Sequence, residues 1–302
     1  MTNAEKTVLA LGFFDGVHIG HGALLRRAKQ RAEEQGVTPA VMTFDLHPDV
    51  LVKGVPVALI NNAADRERIL RRYYGIERVY YFHFTPESAR MGWREFLERT
   101  VEEYGAVGFV VGHDFHFGDR GEGDPGRLAA FCAERGLSCD VIPAVTAEGE
   151  IVSSTGIRAL IQAGEIEKAV RLLGHPHLLT GTVMHGFRNG RAMEFPTLNL
   201  RFDRDVLVPR HGVYAVRVLL PDGTERPGVT NVGVRPTFGG GDGVTAETHL
   251  LHFSGDLYDQ TVTVEFLAFL RPERSFDGPD ALKAQIRQDA ARAEAVIAAS
   301  QI

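Results

Sequence analysis

A chain of 302 residues carrying a formal net charge of −6 is long enough for two domains, each with its own core. Its 44% hydrophobic and 24% charged residues are the balance of a soluble globular protein, and its acidic sign excludes a general attraction to nucleic acid or to an anionic membrane, so anion binding has to be local. No segment has the apolar length of a membrane span, the opening run Met-Thr-Asn-Ala-Glu-Lys lacks a secretory-signal pattern, and the only cysteines, Cys132 and Cys139, form no CxxC pair; the expected compartment is a reducing cytoplasm.

Thr7 to Leu11 is apolar and β-branched and reads as a fully buried first strand. Gly12-Phe13-Phe14-Asp15-Gly16-Val17-His18-Ile19-Gly20-His21 follows. Ala23 to Glu34 then has Leu24, Leu25 and Ala28 on one face and Arg26, Arg27, Lys29 and Arg31 mostly on the other, the pattern of a helix. A strand, a glycine-interrupted turn and a helix point free backbone N–H groups at one spot, where an anion can sit. Gly12, Phe13, Asp15, Gly16 and Gly20 are the candidate phosphate-binding residues; Gly16 and Gly20 lack a Cβ, so phosphate oxygens can approach the main chain there. His18 and His21, three apart, fall on the same side of the first turn, where they suit charge building on a phosphate. Glycines after a strand and two histidines in a loop are equally compatible with a surface turn.

Val37 to Thr43 reads as the second strand, with His47 beyond it at the carboxyl edge of the sheet because Pro48 ends regular pairing. Helices are expected at Ala63–Tyr73, Trp93–Tyr104 and Leu128–Arg135, and strands at Arg78–Phe82, Gly108–Val111 and Cys139–Ile142. This alternation predicts a doubly wound parallel sheet. The fourth strand runs into Gly112-His113-Asp114-Phe115-His116-Phe117-Gly118, which on composition reads as a surface turn with partly buried aromatics. Ser153-Ser154-Thr155-Gly156-Ile157-Arg158 leads into a helix expected to start near Ile157; its hydroxyls serve equally as helix caps or as phosphate ligands, with Arg158 as a charged fork.

After Gly174-His175-Pro176 the pattern changes, which puts a domain boundary between 1–175 and 176–302. Strands are expected at Leu178–His185, Gly212–Leu220, Arg226–Val234, Thr245–Phe253 and Thr261–Phe269, with a turn at Pro221-Asp222-Gly223 and a closing helix over Ala281–Ile297. Several short strands without intervening helices predict an antiparallel barrel. Between the first two lies a Gly/Arg-rich loop containing Gly186, Gly190 and Arg191, followed by Pro196-Thr197-Leu198-Asn199. A threonine hydroxyl and an asparagine carbonyl are hard donors fit for nucleotide-bound Mg²⁺. Glu247, on a predicted strand after the Gly239–Gly243 stretch, reads as a solvated surface residue or as a functional one.

The order His18-Ile19-Gly20-His21 matches a superfamily that includes nucleotidyltransferases and class I aminoacyl-tRNA synthetases. The longer Phe-Asp-Gly-Val-His-Ile-Gly-His resembles the adenylyltransferase half of the bacterial bifunctional riboflavin kinase and FAD synthetase family. The loop at Gly112–Gly118, Ser153–Arg158, Pro196–Asn199, Asn231-Val232-Gly233-Val234-Arg235-Pro236-Thr237-Phe238 and Glu247-Thr248-His249 stand in that family's order, so the resemblance covers nearly the whole chain. It implies an amino-terminal Rossmann-like nucleotidyltransferase domain and a carboxyl-terminal β-barrel riboflavin kinase domain with a terminal helix. The substrates it implies are riboflavin, FMN and ATP with Mg²⁺, without a nucleic-acid or membrane partner; a homo-oligomer is left open. Implied roles are base for Glu247, Mg²⁺ and ATP positioning for Thr197 and Asn199, and ATP-phosphate contact for Gly186, Gly190, Arg191, Ser154, Thr155 and Arg158. Charge stabilisation is implied for His18 and His21, and flavin contact for His47, Asp114, Phe115, Phe117, Asn231 and Arg235.

The chain departs from the family pattern at Leu46, Gly156, Leu198 and Glu194, and in lesser degree at His252 and Asp259. Glu194 sets a negative side chain near where nucleotide phosphates are expected, which motivates a second reading: a half-active or non-catalytic flavin- and nucleotide-binding paralogue. A class I tRNA synthetase is a third, against which stands the lack of a Lys-Met-Ser-Lys-Ser-like loop.

Overall fold

The structure is a computed structural model that describes residues 5–47, 49–50, 54–185, 197–235 and 243–300. The chain divides into two compact units, Met1–Val57 with Arg66–Ser153, and Ala58–Asp65 with Ser154–Ile302.

The first unit is built on β1 (Thr7–Leu11), β2 (Thr38–Phe44), β3 (Arg78–Phe82), β4 (Ala106–Gly112) and β5 (Ser138–Ile142), all parallel in the order β3-β2-β1-β4-β5. Every residue of β1 is buried, as expected of a strand at the centre of such a sheet. The chain builds outward from β1 to β3 on one side and then from β4 to β5 on the other. The reversal falls between β1 and β4, so the loops leaving their carboxyl ends, after Leu11 and after Gly112, open at the switch point where ligands bind in sheets of this kind.

The helices are α1 (Ile19–Gln35), α2 (Ala63–Tyr74, whose part from Arg66 on belongs here), α3 (Trp93–Tyr104) and α4 (Pro125–Arg135). α1 buries Leu24, Leu25, Ala28 and Ala32 and is stopped by Gly36 in the left-handed region (φ 64°), whose N–H reaches the carbonyls of Ala32 and Glu33. On its other face Arg27 Nε and Arg31 Nε each hold Asp140 of β5 at 2.9 Å, tying the helix to the sheet. A hairpin of two short strands, β6 (Thr146–Ala147) and β7 (Glu150–Ile151), follows β5.

The second unit begins with α5 (Ser154–Ala163) and α6 (Ile166–Leu173). It continues with β8 (His177–Thr182), β9 (Thr197–Arg201), β10 (Gly212–Leu219), β11 (Glu225–Arg235), β12 (Gly243–Leu250) and β13 (Thr261–Arg271), and ends with α7 (Pro279–Ala299). The strands form one antiparallel sheet, β8-β13-β10-β11-β12-β9, and a bridge from Met184, just past β8, to Asn199 of β9 joins its two edges. Register sorts the faces. Tyr214, Thr230, Thr248 and Leu198 lie in one row across four strands and all are buried, which makes theirs the inner face. The next row, Val213, Asn231, Glu247 and Asn199, lies on the outer face. α7 covers part of that face: Ala293, with Ala290, Val296 and Ile297, packs on Val213, Ala215, Val229, Ala268 and Leu270. Arg271 Nη2 clamps the buried Asp289 of α7 at 2.8 Å.

Three local expectations are corrected. α5 starts at Ser154 rather than near Ile157, so Ser154 and Thr155 stand inside the first turn, where backbone N–H groups lack intrahelical partners. β12 ends at Leu250, short of Phe253, because His252 takes a left-handed conformation (φ 54°) that breaks pairing. The stretch Thr197–Arg201, not among the expected strands, is one: Leu198 and Leu200 fill the interior while Thr197 and Asn199 point the other way.

Candidate active sites

The turn after β1 departs from ordinary backbone geometry. Phe14 (φ 58°), Gly16 (φ 75°) and Val17 (φ 39°) are all left-handed, a conformation that costs a β-branched residue dearly. Phe14 and Val17 are fully buried, so packing holds what local preference opposes. The ring of Phe14 lies 3.1 Å from where a Cβ on Gly12 would stand. Asp15 is buried, 2% exposed.

His18 caps α1: its Nδ1 accepts the backbone N–H of His21 at 3.3 Å, which puts the proton of the neutral ring on Nε2. The His18 and His21 rings stack at 3.7 Å, 13° from parallel, and His21 lies against Phe14 at 5.1 Å. Burial, then the neighbouring His18 and Arg66, push the His21 pKa well below its ordinary value, so this imidazole is neutral at pH 7. Its Nδ1 is buried without a hydrogen-bond partner among the described residues. His21 therefore offers an N–H dipole rather than charge, beside the positive end of a helix with no acidic residue in its first turn. Gly20 lies under the His18 ring, where a Cβ would stand 3.0 Å from Nδ1 and Cε1. Gly20→Ala is accordingly expected to displace the capping imidazole and to destabilise the first unit by about 1 kcal/mol, read by chemical denaturation; an unchanged midpoint would show that the ring moves freely.

Phe13 is held from three sides. Its carbonyl accepts from Thr43 Oγ1 and from Arg66 Nη1, both at 2.8 Å; its ring has Arg66 Cζ over one face at 4.5 Å and His47 edge-on at 4.7 Å. Sequence reasoning missed Arg66. The available signal was its place three and four residues before Ile69 and Leu70, which put it on the buried face of α2.

In the loop after β4, Asp114 is exposed. Phe115 is half-buried and stacks on Phe117 at 5.5 Å, whereas Phe117 itself belongs to the core of the unit, 5.6 Å from Phe96. Backbone bonds between Phe117 and Gly123, at 3.1 and 2.7 Å, close the loop. Ser154, Thr155 and Arg158 occupy the first turn and a half of α5 in the second unit, half-buried at Ser154 and Arg158 and exposed at Thr155.

On the outer face of the second unit, cross-strand pairing brings Asn231, Glu247 and Asn199 into adjacent positions on three neighbouring strands. Thr197 Oγ1 donates to Glu247 Oε1 at 3.0 Å, which orients the carboxylate. Asn231 Nδ2 donates to Glu273 Oε1 at 2.9 Å, and a Cβ on Gly233 would collide with that same Glu273. Glu273 was not anticipated, since nothing in Arg271-Pro272-Glu273-Arg274 marks it. Leu198, a departure from the family pattern, points into the interior at 5% exposure and leaves the site's donors unaltered. Thr197, Asn199 and Glu247 make a small set of hard oxygen donors. Among the described residues no three His, Cys, Asp or Glu side chains gather to hold a metal. A donor set so sparse fits a divalent cation that arrives on nucleotide phosphates and keeps its waters. Gly186, Gly190, Arg191 and Glu194, and the side chain of Arg235, lie outside the described residues.

Residues 1–156 match the family model described as FAD synthetase, and residues 173–297 the one described as riboflavin kinase. The chain is 38% identical over 296 residues to the bifunctional riboflavin kinase/FMN adenylyltransferase of Pseudomonas fluorescens, a match covering 97% of this chain and 94% of that one. Proteins of the same description match from Listeria monocytogenes (34% over 284 residues, 93% and 90% covered) and Escherichia coli K12 (34% over 287 residues, 94% and 91% covered). A crystal structure described as a macrolide-efflux protein from Streptococcus pneumoniae superimposes with a TM-score of 0.84 at 31% identity, covering 97% of this chain and 95% of that one. That description and those of the sequence relatives differ in the activity they name. No helix among the described residues is long and apolar enough to cross a membrane.

Proposed function

The chain belongs to the bifunctional riboflavin kinase/FMN adenylyltransferase family, and we propose that its two halves, 1–175 and 176–302, carry one activity each. The reading rests on an end-to-end match to relatives that name both activities, with the two family models falling on opposite sides of residues 157–172. The same match speaks against a tRNA synthetase, and nothing favours the half-active paralogue.

In the carboxyl-terminal half, Glu247 takes the proton from the 5′-hydroxyl of riboflavin as that oxygen attacks the γ-phosphorus of ATP, giving FMN and ADP. Support comes from the Thr197 hydrogen bond, which aims the carboxylate, and from its row-mates Asn199 and Asn231. Thr197 and Asn199 would hold the divalent cation, proposed as Mg²⁺, and the nucleotide. When bound, Mg²⁺ neutralises charge on the β- and γ-phosphates. Asn231 and Arg235 contact the flavin, and Gly186, Gly190 and Arg191 wrap the phosphates.

In the amino-terminal half a phosphate oxygen of FMN attacks the α-phosphorus of a second ATP, and the bond to the β-phosphate breaks to release pyrophosphate and FAD. The nucleophile is already an anion and needs no base. What remains is positioning and charge stabilisation. His18 and His21 supply N–H donors and the start of α1 its positive end; Gly12, Phe13, Asp15, Gly16 and Gly20 shape the turn around the nucleotide; Ser154, Thr155 and Arg158 bind phosphate. His47, Asp114 and Phe115 contact the flavin, with Phe117 supporting Phe115 from the core.

The direct test is a time course with riboflavin, ATP and Mg²⁺, resolving the flavins by chromatography. FMN is expected first and FAD after it. FMN converted to FAD with riboflavin untouched would point to a kinase half disabled by Glu194, and no product from either flavin would leave a binding protein.

A further inference from the structure

We propose that Arg66 is a positioning residue for FMN adenylylation, holding the Phe13–Phe14 turn in the conformation that presents its backbone to the nucleotide; the proposal rests on the assignment of that reaction to the amino-terminal half. Arg66 heads the fully buried side chains by volume, with 1% exposure. Its Nη1 reaches three oxygens, the Phe13 carbonyl and Thr43 Oγ1 at 2.8 Å and the Phe44 carbonyl at 3.3 Å, and its Cζ lies 4.5 Å over the Phe13 ring. One planar, multi-donor group thus ties the exit of β1 to the end of β2. Thr43 Oγ1 adds a second bond to the same Phe13 carbonyl, so the peptide entering the left-handed Phe14 is fixed on both sides.

Packing alone does not account for an arginine here. An apolar residue would fill the space above Ile69 and Leu70 without burying a charge. It would also avoid stranding Nε, which is buried with no hydrogen-bond partner among the described residues. The carboxylates that answer its charge are the buried Asp15 of the turn and Glu67 of α2. The turn it holds also meets His21 of α1, which lies against Phe14 at 5.1 Å and whose imidazolium is disfavoured by burial, by His18 and by Arg66. The same guanidinium that fixes the turn therefore helps keep the neighbouring ring uncharged. Removing the positive charge is expected to let His21 take a proton at higher pH.

The experiment compares wild type, Arg66→Met and Arg66→Lys in three readouts: FAD formed from FMN and ATP, FMN formed from riboflavin and ATP, and the titration of His21 followed by NMR. In Arg66→Met, FMN adenylylation is expected to fall about tenfold or more, riboflavin phosphorylation to stay at the wild-type rate, and the His21 pKa to rise. In Arg66→Lys the charge remains but one ammonium cannot reproduce the planar fork. The His21 pKa should then stay near wild type while adenylylation still falls, by about threefold or more. A structural role alone would not separate the two variants in this way. Adenylylation at the wild-type rate in Arg66→Lys, or an unmoved His21 titration in Arg66→Met, overturns the proposal. Should Arg66→Met fail to fold, Arg66→Lys decides. Wild-type protein that makes no FAD from FMN removes the reaction assignment, and the proposal with it; wild type and Arg66→Met equally active remove the proposal alone.

Discussion

Glu247→Gln lowers FMN formation from riboflavin by about 10²-fold or more, while FAD formation from supplied FMN continues at the wild-type rate. Glutamine keeps the size of the side chain and an oxygen able to accept the Thr197 hydroxyl now bonded to Glu247 Oε1 at 3.0 Å. Pairing of β12 with β9 and β11 runs through the backbone, so the row Asn231, Glu247, Asn199 stays in place. What is lost is the only property the mechanism asks of this residue, a site for the ribityl proton. The loss should therefore fall on kcat, with KM for ATP close to wild type. A quench-flow time course on both flavins reads it, and an unchanged FMN rate would take Glu247 out of the mechanism. The companion Thr197→Val removes the bond that aims the carboxylate.

His21→Ala produces the converse result. FAD formation falls by about 10²-fold and riboflavin phosphorylation does not change. The substitution removes one N–H donor from the head of α1 and the ring stacked on His18 at 3.7 Å. Because burial holds His21 neutral, its contribution is that of a fixed dipole, and the loss should be the same at pH 7 and pH 8. A deficit that shrinks as pH rises would mean that an imidazolium had been acting. Full FAD output from His21→Ala would end its assigned role, and the intact kinase rate in the same sample reports that the chain is folded.

Much of this architecture is legible in the residues. β1 reads as buried because Thr7–Leu11 is a β-branched and apolar run, and it is buried along its whole length. α1 reads as a helix from Leu24, Leu25 and Ala28, and those residues do face inward. Motif order also carries, since Gly-rich turns and histidines near a helix start are local features that a short window holds in full. The errors share a cause. β9 was hidden because five residues beside a glycine- and arginine-rich stretch give too little alternation to separate strand from loop. The start of α5 shifted because serine and threonine suit both a cap and a first turn.

The linear chain therefore supplied the family, the two successive folds and the residue types at each candidate site, all encoded in short-range pattern and motif spacing. Three other matters came from folding. Strand register set Asn231, Glu247 and Asn199 side by side from three separate strands, and one residue of slip in any of them would have turned its member of the row to the inner face. Packing turned Arg66 inward among the arginines of α2 and made Leu198 a core residue rather than a blemish in a motif. Burial, which no side chain possesses until its neighbours surround it, took the charge from His21.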